Sequence, residues 1–363
     1  MDSDQRILDL FSSVGGLALG AKVATQLLGG RATFEGAVDT DRDALRVHEH
    51  NLLTRRVIHE SVLELVDLPI SEDAKTGLLR FKNPTMLPLG QGFDGVSLLI
   101  GGPPCQGHST LNNKTRSDDP KNRLMLTMPG IAVALGINAV VIENVPNVVN
   151  DANRVVQKTH ELFVNHGYHV EQGVIAANQL GWPQTRKRFF MVARLDKAPI
   201  RFDAVVHGLR MPPKNVGWVL EDLLDFGGHE PSIMDTSPKM SLDNVRRVDY
   251  LFDQDLYDLP DDQRPKCHQN GHTYPAVYGR MHWDEPAPTI TGGFLSPGRG
   301  RFVHPRRRRV LTPHEAARIQ GFPDWFDFVS PMGEALNRSM LAKWIGDAVP
   351  SMLATAAVLS AIG

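Results

Sequence analysis

The sequence predicts an α/β fold in which a doubly wound, mostly parallel sheet is joined to a smaller, loop-rich second region. Up to about residue 196, apolar strand-like runs alternate with stretches of helical spacing. Beyond that point proline, glycine, aspartate and histidine become frequent, and the periodicity fades through residue 300. From residue 337 an Ala-rich helical pattern returns, which would make the large domain discontinuous if it packs back on the first region.

The expected strands and helices alternate along the first region. RILDL (6–10) predicts a buried first strand, and a helical pattern follows over residues 17–28. The later strands are expected at 33–39, 95–100, 138–144 and 188–195, with helices after Asp41 and near 122–136. Strands that alternate with helices pair in parallel, so we expect their carboxyl ends to share one edge of the sheet.

The composition favours a reduced, globular protein. The chain has 363 residues, two cysteines and a formal net charge of −2, which argues against a disulfide framework and means that any basic surface must be local. The longest apolar runs, such as 130–142, are shorter than the ~20 residues that span a bilayer. The acidic start of the chain has the pattern of neither a signal peptide nor a transit peptide. We therefore expect a cytoplasmic protein that does not enter a membrane.

A glycine-bearing turn follows the first expected strand in DLFSSVGGLALG (9–20). Such a turn allows a ligand to approach the backbone closely, although it also suits simple packing of a strand on a helix. Asp39 ends the next strand, where a carboxylate can accept hydrogen bonds from ribose hydroxyls. The pattern is not G-x-G-x-x-G, so we expect a single adenosyl group rather than a dinucleotide.

Cys105 lies just past the third expected strand, in GGPPCQGHS (101–109). A small cysteine often packs in a core, but two prolines precede this one and a long polar loop, 106–122, follows it. A long polar loop in a compact α/β domain is usually a lid or a binding loop. We therefore interpret Cys105 as a positioned nucleophile.

Two further segments place polar groups beside the same expected cleft. Glu143 follows a run of apolar residues at the carboxyl end of a strand, so it could face Cys105 and share a proton with a substrate. Gln184, Arg186 and Arg188 alternate along what is expected to be one strand, and would point to one face of it. That face is either a solvated surface or a set of groups that fix carbonyl oxygens.

The segment 299–326 concentrates positive charge in an otherwise neutral chain. Its arginines are Arg299, Arg301 and the run Arg306 to Arg309. A run of charges is most often a solvated face, but dense arginine beside glycines is also what phosphate contact requires. Just after it, Thr312 is expected to cap a short helix, with Pro313 at its first position and Glu315 completing a capping box.

Taken in order, these segments resemble the cytosine-5 DNA methyltransferase family. The matching motifs are DLFSSVGG (9–16), GGPPCQGHS (101–109), IENV (142–145), QTRKR (184–188), PTIT (288–291), RVLTPHEAARIQGFPD (309–324) and IGDAVP (345–350). The combination of PPCQ, ENV and QxRxR in that order is very specific. The resemblance covers nearly the whole chain except roughly residues 200–280.

The resemblance implies a Rossmann-like catalytic domain, 1–195 plus 335–363, that uses S-adenosylmethionine as methyl donor and leaves S-adenosylhomocysteine. Residues 196–334 would form a target-recognition domain and hinge. By position, the donor would be held by Phe11, Ser13, Gly15, Gly16, Asp39, Ser61, Pro104, Leu124, Asp347 and Ala348. Three of these depart from the family: Ser13 replaces a usual glycine, Ser61 stands nearest to the usual acidic adenine contact, and Asp347 replaces a common asparagine.

The resemblance also implies the catalytic roles. Cys105 matches the nucleophile that adds to carbon 6 of a flipped-out cytosine, Glu143 the acid at ring nitrogen 3, and Arg188 the group that grips the cytosine carbonyl. Arg186 would supply positive charge that favours the thiolate. Contacts to DNA are expected from Gln106, Ser109, Gln184, Arg280, Thr291 and Arg306. No metal is implied.

The leading hypothesis is therefore a prokaryotic enzyme that methylates carbon 5 of cytosine in a specific duplex sequence. It would act as a monomer among nucleoid DNA in the cytoplasm, with or without a cognate restriction endonuclease. One alternative keeps the chemistry but takes tRNA as substrate; its characteristic recognition motif is not found here. Another is an inactive DNA-binding regulator, which should have lost Cys105 or Glu143. An oxidoreductase would account for the glycines alone.

Overall fold

The structure is a computed structural model that describes residues 3–72, 79–104, 124–224, 232–269, 276–328 and 335–363. Its strands, in chain order, are β1 (Gln5–Leu10), β2 (Ala32–Val38), β3 (Val57–Ile58), β4 (Val66–Asp67), β5 (Ile70–Glu72), β6 (Leu79–Phe81), β7 (Thr85–Met86), β8 (Leu98–Gly101), β9 (Ala139–Asn144), β10 (His169–Ala176) and β11 (Lys187–Arg194).

The helices of the described ranges are α1 (Gly16–Leu27), α2 (Arg42–Leu52), α3 (Thr127–Leu135), α4 (Val155–Asn165), α5 (Phe202–Leu209), α6 (Val216–Leu220), α7 (Leu242–Asp253), α8 (Pro313–Ile319), α9 (Arg338–Asp347) and α10 (Ser351–Ile362). Short 3-10 turns join several of them. Every strand expected from the sequence is present with its bounds shifted by a few residues at most, and so are the helices expected after the first, second and third of those strands.

The main sheet has seven strands in the order β10-β11-β9-β8-β1-β2-β3. The pairs β3–β2, β2–β1, β1–β8 and β8–β9 are parallel, whereas β11 runs antiparallel to both β9 and β10. The predicted doubly wound, mostly parallel sheet is therefore confirmed. The chain winds outward in one direction from β1 and in the other from β8, and ligands bind at the carboxyl ends of the strands where the order reverses in this way.

The sequence explains why the sheet and its covering helices form. The central strands are continuous apolar runs because helices cover both faces, and all four residues of β8 and all six of β9 are buried. α10 packs on α1 at close range: a Cβ at Gly20 would lie 2.3 Å from Ala354 Cβ. Thr355 Oγ1 also donates to the Gly20 carbonyl at 3.2 Å. Small residues on both helices permit this approach.

The chain divides into two compact units. Unit 1 contains residues 1–176, 187–210 and 349–363, and unit 2 contains 177–186 and 211–348. Relative to the expected domain bounds, 177–186 and 335–348 group with unit 2, whereas 196–210 groups with unit 1. Unit 2 has its own small core around Val248, Leu251, Leu259 and Val303.

The helical pattern from residue 337 is two helices rather than one. α9 ends at Asp347 and α10 begins at Ser351, because Pro350 cannot continue a helix from the residue before it. Together residues 338–362 have the length and composition of a membrane span, but 72% of their most apolar window is buried inside the protein. The apolar character of this stretch is explained by the packing of α9 and α10 inside the protein.

Other elements were not predicted. β10 and α4 precede β11 without strong periodicity, and β4–β7 form two small two-stranded sheets. The region expected to be loop-rich contains α5, α6 and α7. The expectation that Gln184, Arg186 and Arg188 share one strand face is wrong, because β11 begins at Lys187 and only Arg188 lies on it.

Candidate active site

Unit 1 gathers the predicted site residues along one edge of the sheet. The carboxyl ends of β1, β2, β3, β8 and β9 lie side by side, since Leu10 pairs with Gly101 and Gly101 pairs with Ile142. β11 runs the opposite way, so its beginning, with Arg188, lies at the same edge. Six segments from different parts of the chain therefore meet here for a topological reason.

The turn after β1 is held in an unusual backbone conformation. Phe11, Ser13 and Gly15 have φ angles of 55°, 46° and 95°, in the left-handed region that L side chains rarely adopt. The Ser12 amide donates to the Val38 carbonyl at 3.2 Å, and the Gly15 amide donates back to the Ser12 carbonyl at 3.0 Å. Tertiary contacts thus hold a turn whose local cost is of order 1–3 kcal/mol for each strained residue.

Asp39 is the carboxylate that fixes this turn to the next loop. One carboxylate oxygen accepts from the Ser13 amide and the other from the Asp41 amide, both at 2.8 Å. Each oxygen keeps a second lone pair, which is what two ribose hydroxyls would need. Ser61, in contrast, caps a 3-10 turn, and its hydroxyl accepts from the Leu63 amide at 3.3 Å.

Glu143 and Arg188 form an ion pair where β9 and β11 meet this edge. Arg188 Nε donates to Glu143 Oε1 at 2.7 Å, and the two side chains are only 14% and 11% exposed. A Cβ at Gly102 would lie 3.1 Å from Glu143 Oε2. The glycine therefore leaves room for the carboxylate, which explains one of the two glycines in GGPPC.

Asn144 links this carboxylate to the Pro-Pro segment. Its amide nitrogen donates to the Pro103 carbonyl at 3.2 Å, and its amide oxygen accepts from the Val145 amide at 2.9 Å. Pro104 is the last described residue before a gap. Cys105, Gln106 and Ser109, predicted as nucleophile and DNA contacts, lie outside the described residues, as does the expected lid 106–122.

Leu124 opens the next described segment, in unit 1, where its carbonyl accepts from Thr127 Oγ1 at 2.7 Å. The remaining predicted donor contacts, Asp347 and Ala348, belong to unit 2. There they end α9, and the Ala348 carbonyl accepts from Gln320 Nε2 at 3.3 Å. The predicted donor set is thus divided between two units.

In unit 2 the matching motifs are joined to one another by buried polar contacts. Gln184 Nε2 donates to Gln320 Oε1 at 3.0 Å, and Gln320 Nε2 donates to the Ile345 carbonyl at 2.6 Å. Arg186, 1% exposed, donates to the Ile290 carbonyl. A Cβ at Gly346 would lie 2.1 Å from the Gly292 amide nitrogen, so IGDAVP packs directly on PTITGG. Within unit 2, Gln184 and Arg186 are therefore buried framework residues. Thr291 lies in the segment that Gly346 contacts.

The arginines of 299–309 divide into two classes. Arg301 pairs with Asp258, Arg308 with Asp249 and Asp253, and Arg309 with the buried Glu315. Arg307 donates to the Leu223 and Leu224 carbonyls. Among the described residues, Arg299 and Arg306 have no carboxylate partner, and Arg306 stacks on Trp283 at 3.8 Å. Within the part of the chain that the structure describes, these are the two arginines of this segment whose side chains bind neither a carboxylate nor a backbone carbonyl.

Arg280, expected at the DNA, is instead tied into its own unit. Its Nη1 pairs with Asp255 at 3.2 Å, its Nε donates to the Pro305 carbonyl at 2.8 Å, and its guanidinium stacks on Phe252 at 4.2 Å. These contacts support a role for Arg280 in packing within unit 2 rather than in contact with DNA.

The capping box at α8 is present as predicted. Thr312 Oγ1 accepts from the Glu315 amide at 3.2 Å, and Glu315 Oε2 accepts from the Thr312 amide at 2.8 Å. Burial opposes ionisation of Glu315, but the hydrogen bond from Arg309 holds its pKa below the usual range. Burial also lowers the pKa of the neighbouring His304 to about 4.

Sequence reasoning missed several residues that position this site. Gly102, Asn144 and Gln320 stand inside the motifs quoted above, so their motif membership was the available signal. His48 and Thr54, which lie under the glycine turn, carry no such signal. His48 contacts Thr54, six residues later in the chain, and Asp9, which is 39 residues earlier.

The family model of the C-5 cytosine-specific DNA methylases matches residues 5–362. Type II methyltransferase M1.BsuMI of Bacillus subtilis is 38% identical over 349 residues, which cover 96% of this chain and 78% of that protein. Type II methylase M.HgiDII of Herpetosiphon aurantiacus is 29% identical, over 96% of this chain and 92% of that one.

Solved structures have the same fold. A DNA modification methyltransferase encoded within an E. coli prophage superimposes with a TM-score of 0.62 at 22% identity, covering 98% of both chains. The Dnmt2 methyltransferase of S. pombe superimposes with a TM-score of 0.61 at 17% identity, covering 98% of this chain and 97% of that one.

Proposed function

Because the chain belongs to the C-5 cytosine-specific DNA methylase family, we propose that it methylates carbon 5 of cytosine in a specific sequence of double-stranded DNA, with S-adenosylmethionine as donor. The observation that carries the proposal is the Glu143–Arg188 ion pair, 2.7 Å long. It lies at the same sheet edge as the turn that Asp39 holds. We propose that this carboxyl group acts as a proton donor and that the turn belongs to a nucleoside site at the same sheet edge of unit 1.

The residues at the first end of this edge fit the donor. Ser13 Oγ is buried and has no hydrogen-bond partner within the described ranges, as expected of a polar atom that a ligand satisfies. Asp39 offers two carboxylate lone pairs for ribose hydroxyls, and Phe11 offers an apolar surface beside the turn. We propose that Phe11, Ser13, Gly15, Gly16, Asp39, Pro104 and Leu124 hold the donor; Asp347 and Ala348, the other predicted contacts, belong to unit 2.

Two of the residues that depart from the family pattern, Ser61 and Asp347, need separate comment as donor contacts. Ser61 is committed to capping its 3-10 turn, so its hydroxyl is a weaker candidate for the adenine contact than its position implied. Asp347 side-chain oxygens are within 3.9 Å of Lys343 Nζ, and both side chains are more than half exposed. An exposed, paired aspartate can meet the amino end of the methionine moiety.

The chemistry follows from the residue types at the second end. Cytosine carbon 5 is too weak a nucleophile to take a methyl group unaided. Addition of the Cys105 thiolate to carbon 6 forms a carbon–sulfur bond and moves the ring electrons toward carbon 5. Glu143 donates a proton or strong hydrogen bond at ring nitrogen 3, while Arg188 holds the carboxylate and the exocyclic carbonyl. Carbon 5 then takes the methyl group, and S-adenosylhomocysteine is the leaving group. A base removes the carbon 5 proton, which expels the thiolate, and nitrogen 3 returns its proton to Glu143 as the ring is restored.

The donor, when bound, supplies an electrophilic methyl group on a sulfonium. Cysteine at its ordinary pKa of about 8.5 is mostly protonated at neutral pH. We propose a cation as the source of activation; the predicted one, Arg186, belongs to unit 2. The cytosine must leave the stack for any of this to occur, so we propose base flipping, with Gln106 and Ser109 as DNA contacts.

We propose that Arg299, Arg306 and Thr291 contact DNA, whereas the burial of Gln184 and its bond to Gln320 make it a framework residue of unit 2 instead. The similarity to Type II methyltransferases supports double-stranded DNA as the substrate. We propose a cytoplasmic enzyme, with or without a cognate restriction endonuclease. We propose a monomer as the active form.

The direct test is incubation of the protein with S-adenosylmethionine and mixed-sequence duplex DNA, with tRNA in parallel. Bisulfite conversion then maps modified cytosines. We expect methylation of one duplex sequence and none of tRNA; methylated tRNA alone would move the substrate to RNA, and no methylation of either would refute the proposal.

Cys105→Ser tests the covalent step. We expect it to abolish methyl transfer while donor binding, measured by calorimetry, is unchanged, because the nucleophile does not hold the donor. We also expect wild-type protein to form a stable adduct with duplex containing 5-fluorocytosine, since fluorine cannot leave as a proton does. Turnover by the variant, or no adduct with an active wild type, would contradict the scheme.

A further inference from the structure

A buried polar triad lies beneath the glycine turn and has no part in the chemistry described above. His48 Nε2 is 3.1 Å from Asp9 Oδ2, and His48 Nδ1 is 2.9 Å from Thr54 Oγ1. Asp9 and His48 are 0% exposed and Thr54 is 5% exposed. Both ring nitrogens are therefore engaged, whichever tautomer is present. An ionisable pair in an apolar core is costly, so its retention calls for a reason.

The imidazole touches both ends of the turn. Asp9 is the second-last residue of β1, directly before the turn begins. At the other end, a Cβ at Gly15 would lie 2.9 Å from His48 Cδ2 and 2.7 Å from Leu52 Cδ1. His48 is also held edge-on against Phe34, with ring centroids 5.9 Å apart. One side chain of α2 thus braces the turn from below at its start and its finish.

The turn needs such bracing because its backbone is strained. Three of its residues are in the left-handed region, and two of these, Phe11 and Ser13, are not glycine. Strain of this kind persists only where surrounding contacts determine the conformation. Asp39 fixes the middle of the turn through the Ser13 amide, which leaves the two ends to other residues. Burial raises the pKa of the Asp9 carboxyl group, and the hydrogen bond from His48 opposes that effect.

We infer that Asp9, His48 and Thr54 form a positioning triad that holds the turn of residues 11–16 in its donor-binding conformation. Thr54 orients the imidazole, the imidazole fixes Asp9 and supports Gly15, and the strained turn is preorganised before the donor arrives. The inference rests on the proposed function in one respect, since it concerns the affinity for the same donor. None of the three side chains is a catalytic residue.

The triad predicts a specific kinetic signature. Thr54→Val keeps the shape of the side chain and removes the hydroxyl group that orients His48. We expect the dissociation constant for S-adenosylmethionine, and that for S-adenosylhomocysteine, to rise about threefold to tenfold, the equivalent of one lost hydrogen bond. The kcat at saturating donor and the KM for DNA should stay at the wild-type values. His48→Phe should raise both dissociation constants by at least about tenfold, whereas His48→Gln, which keeps one polar end, should fall between the two.

Thr159→Val is the matched control. Thr159 is also buried, at 0% exposure, and its hydroxyl makes one hydrogen bond of 2.8 Å, to the Val155 carbonyl in α4. Its loss should lower the melting temperature to a similar extent as Thr54→Val without altering donor affinity. The comparison separates positioning of the turn from general destabilisation.

Titration calorimetry of the donor and its product into each variant without DNA, beside melting curves, decides the matter. Weaker binding in Thr54→Val and His48→Phe, with unchanged binding in Thr159→Val, is the expected result. Equal binding in all variants, or an equal loss in the control, would overturn the triad while leaving the proposed function intact. If the wild-type protein bound neither molecule, the proposed function itself would fail, and the inference with it.

Discussion

At the scale of single residues, the space around Glu143 is set by one missing side chain. Gly102 follows β8, and a Cβ there would stand 3.1 Å from Glu143 Oε2. That separation is closer than most side-chain contacts, so the carboxylate would have to shift by a few tenths of an ångström. The acid of the proposed reaction therefore depends on the second glycine of GGPPC as much as on its own identity.

Gly102→Ala should accordingly reduce kcat roughly tenfold to a hundredfold, because a displacement well below 1 Å is costly at a reacting centre. Donor affinity should be unchanged, since the turn of residues 11–16 is held by other contacts. Steady-state kinetics and calorimetry on the same preparation check both statements. A variant with normal kcat would show that the carboxylate tolerates the added methyl group.

At the scale of secondary structure, α1 and α10 of unit 1 pack against each other at close range. A Cβ at Gly20 would lie 2.3 Å from Ala354 Cβ and 2.6 Å from the Ser351 carbonyl oxygen. Alanine favours a helix over glycine by about 1 kcal/mol, but overpacking typically costs about 1–3 kcal/mol. The cost of overpacking should therefore exceed the gain in helix propensity when Gly20 is replaced by alanine.

Gly20→Ala is expected to lower the free energy of unfolding by about 1–2 kcal/mol. The control is Gly208→Ala in α5, where a Cβ would meet nothing within 4 Å. That change should instead stabilise the protein by about 0.5–1 kcal/mol. Denaturant unfolding of both variants measures the two signs, and a stabilising Gly20→Ala would contradict the close packing of α1 on α10.

The stability of the protein should depend on pH through His304, whose ring lies 3.4 Å from Glu315 of α8. The Arg306 amide donates to His304 Nδ1 at 3.0 Å, so protonation of the imidazole would break a buried hydrogen bond. The pKa of His304 is about 4 in the folded protein against 6.5 for the free side chain, because burial disfavours the charged form. Below 6.5 the unfolded chain therefore binds the proton first.

Stability should consequently fall as the pH decreases from 6.5 toward 4, by about 3 kcal/mol in all from this group. His304→Gln is expected to be less stable at neutral pH but to have a flatter profile between 6.5 and 4.5. Urea unfolding at a series of pH values, wild type beside variant, gives the difference. Parallel profiles would mean that His304 is not the titrating group.

At the scale of the whole molecule, attraction to DNA must come from few charges. The net charge is −2, and most arginines of 299–309 are already paired with carboxylates or carbonyls. Arg306, presented on the face of Trp283, has already lost much of its side-chain freedom. Its contact with a phosphate would therefore cost little further ordering.

Arg306→Ala should weaken binding to duplex DNA and reduce the slope of log affinity against log salt by about 1. Arg308→Ala is the matched control, because Asp249 and Asp253 already bind that guanidinium. Its slope should equal that of the wild type. Fluorescence titrations at several salt concentrations make the measurement; equal slopes in all three proteins would remove Arg306 from the DNA interface.

Much of the fold was predictable because buried parallel strands are continuous apolar runs, as in β8 and β9. The positions of Asp39 and Glu143 followed from the rule that carboxyl ends share an edge, whereas Arg188 lies there because β11 runs antiparallel to β9. What could not be predicted was which polar side chains form hydrogen bonds or ion pairs with other groups of the protein. Nothing in the sequence distinguishes Arg308 from Arg306, or shows that His48 lies beneath Gly15, since both depend on partners brought together only by the tertiary structure.

The packing of α1 on α10 has a consequence for folding during translation. Gly20 and Thr355, joined by a hydrogen bond, are 335 positions apart. At a translation rate of about 5–20 residues per second, the ribosome needs roughly 15–70 seconds to deliver the second after the first. During that interval one flank of the nascent sheet is bare, so a newly made molecule should remain unable to modify the genome, and prone to chaperone capture, until this last helix emerges from the exit tunnel.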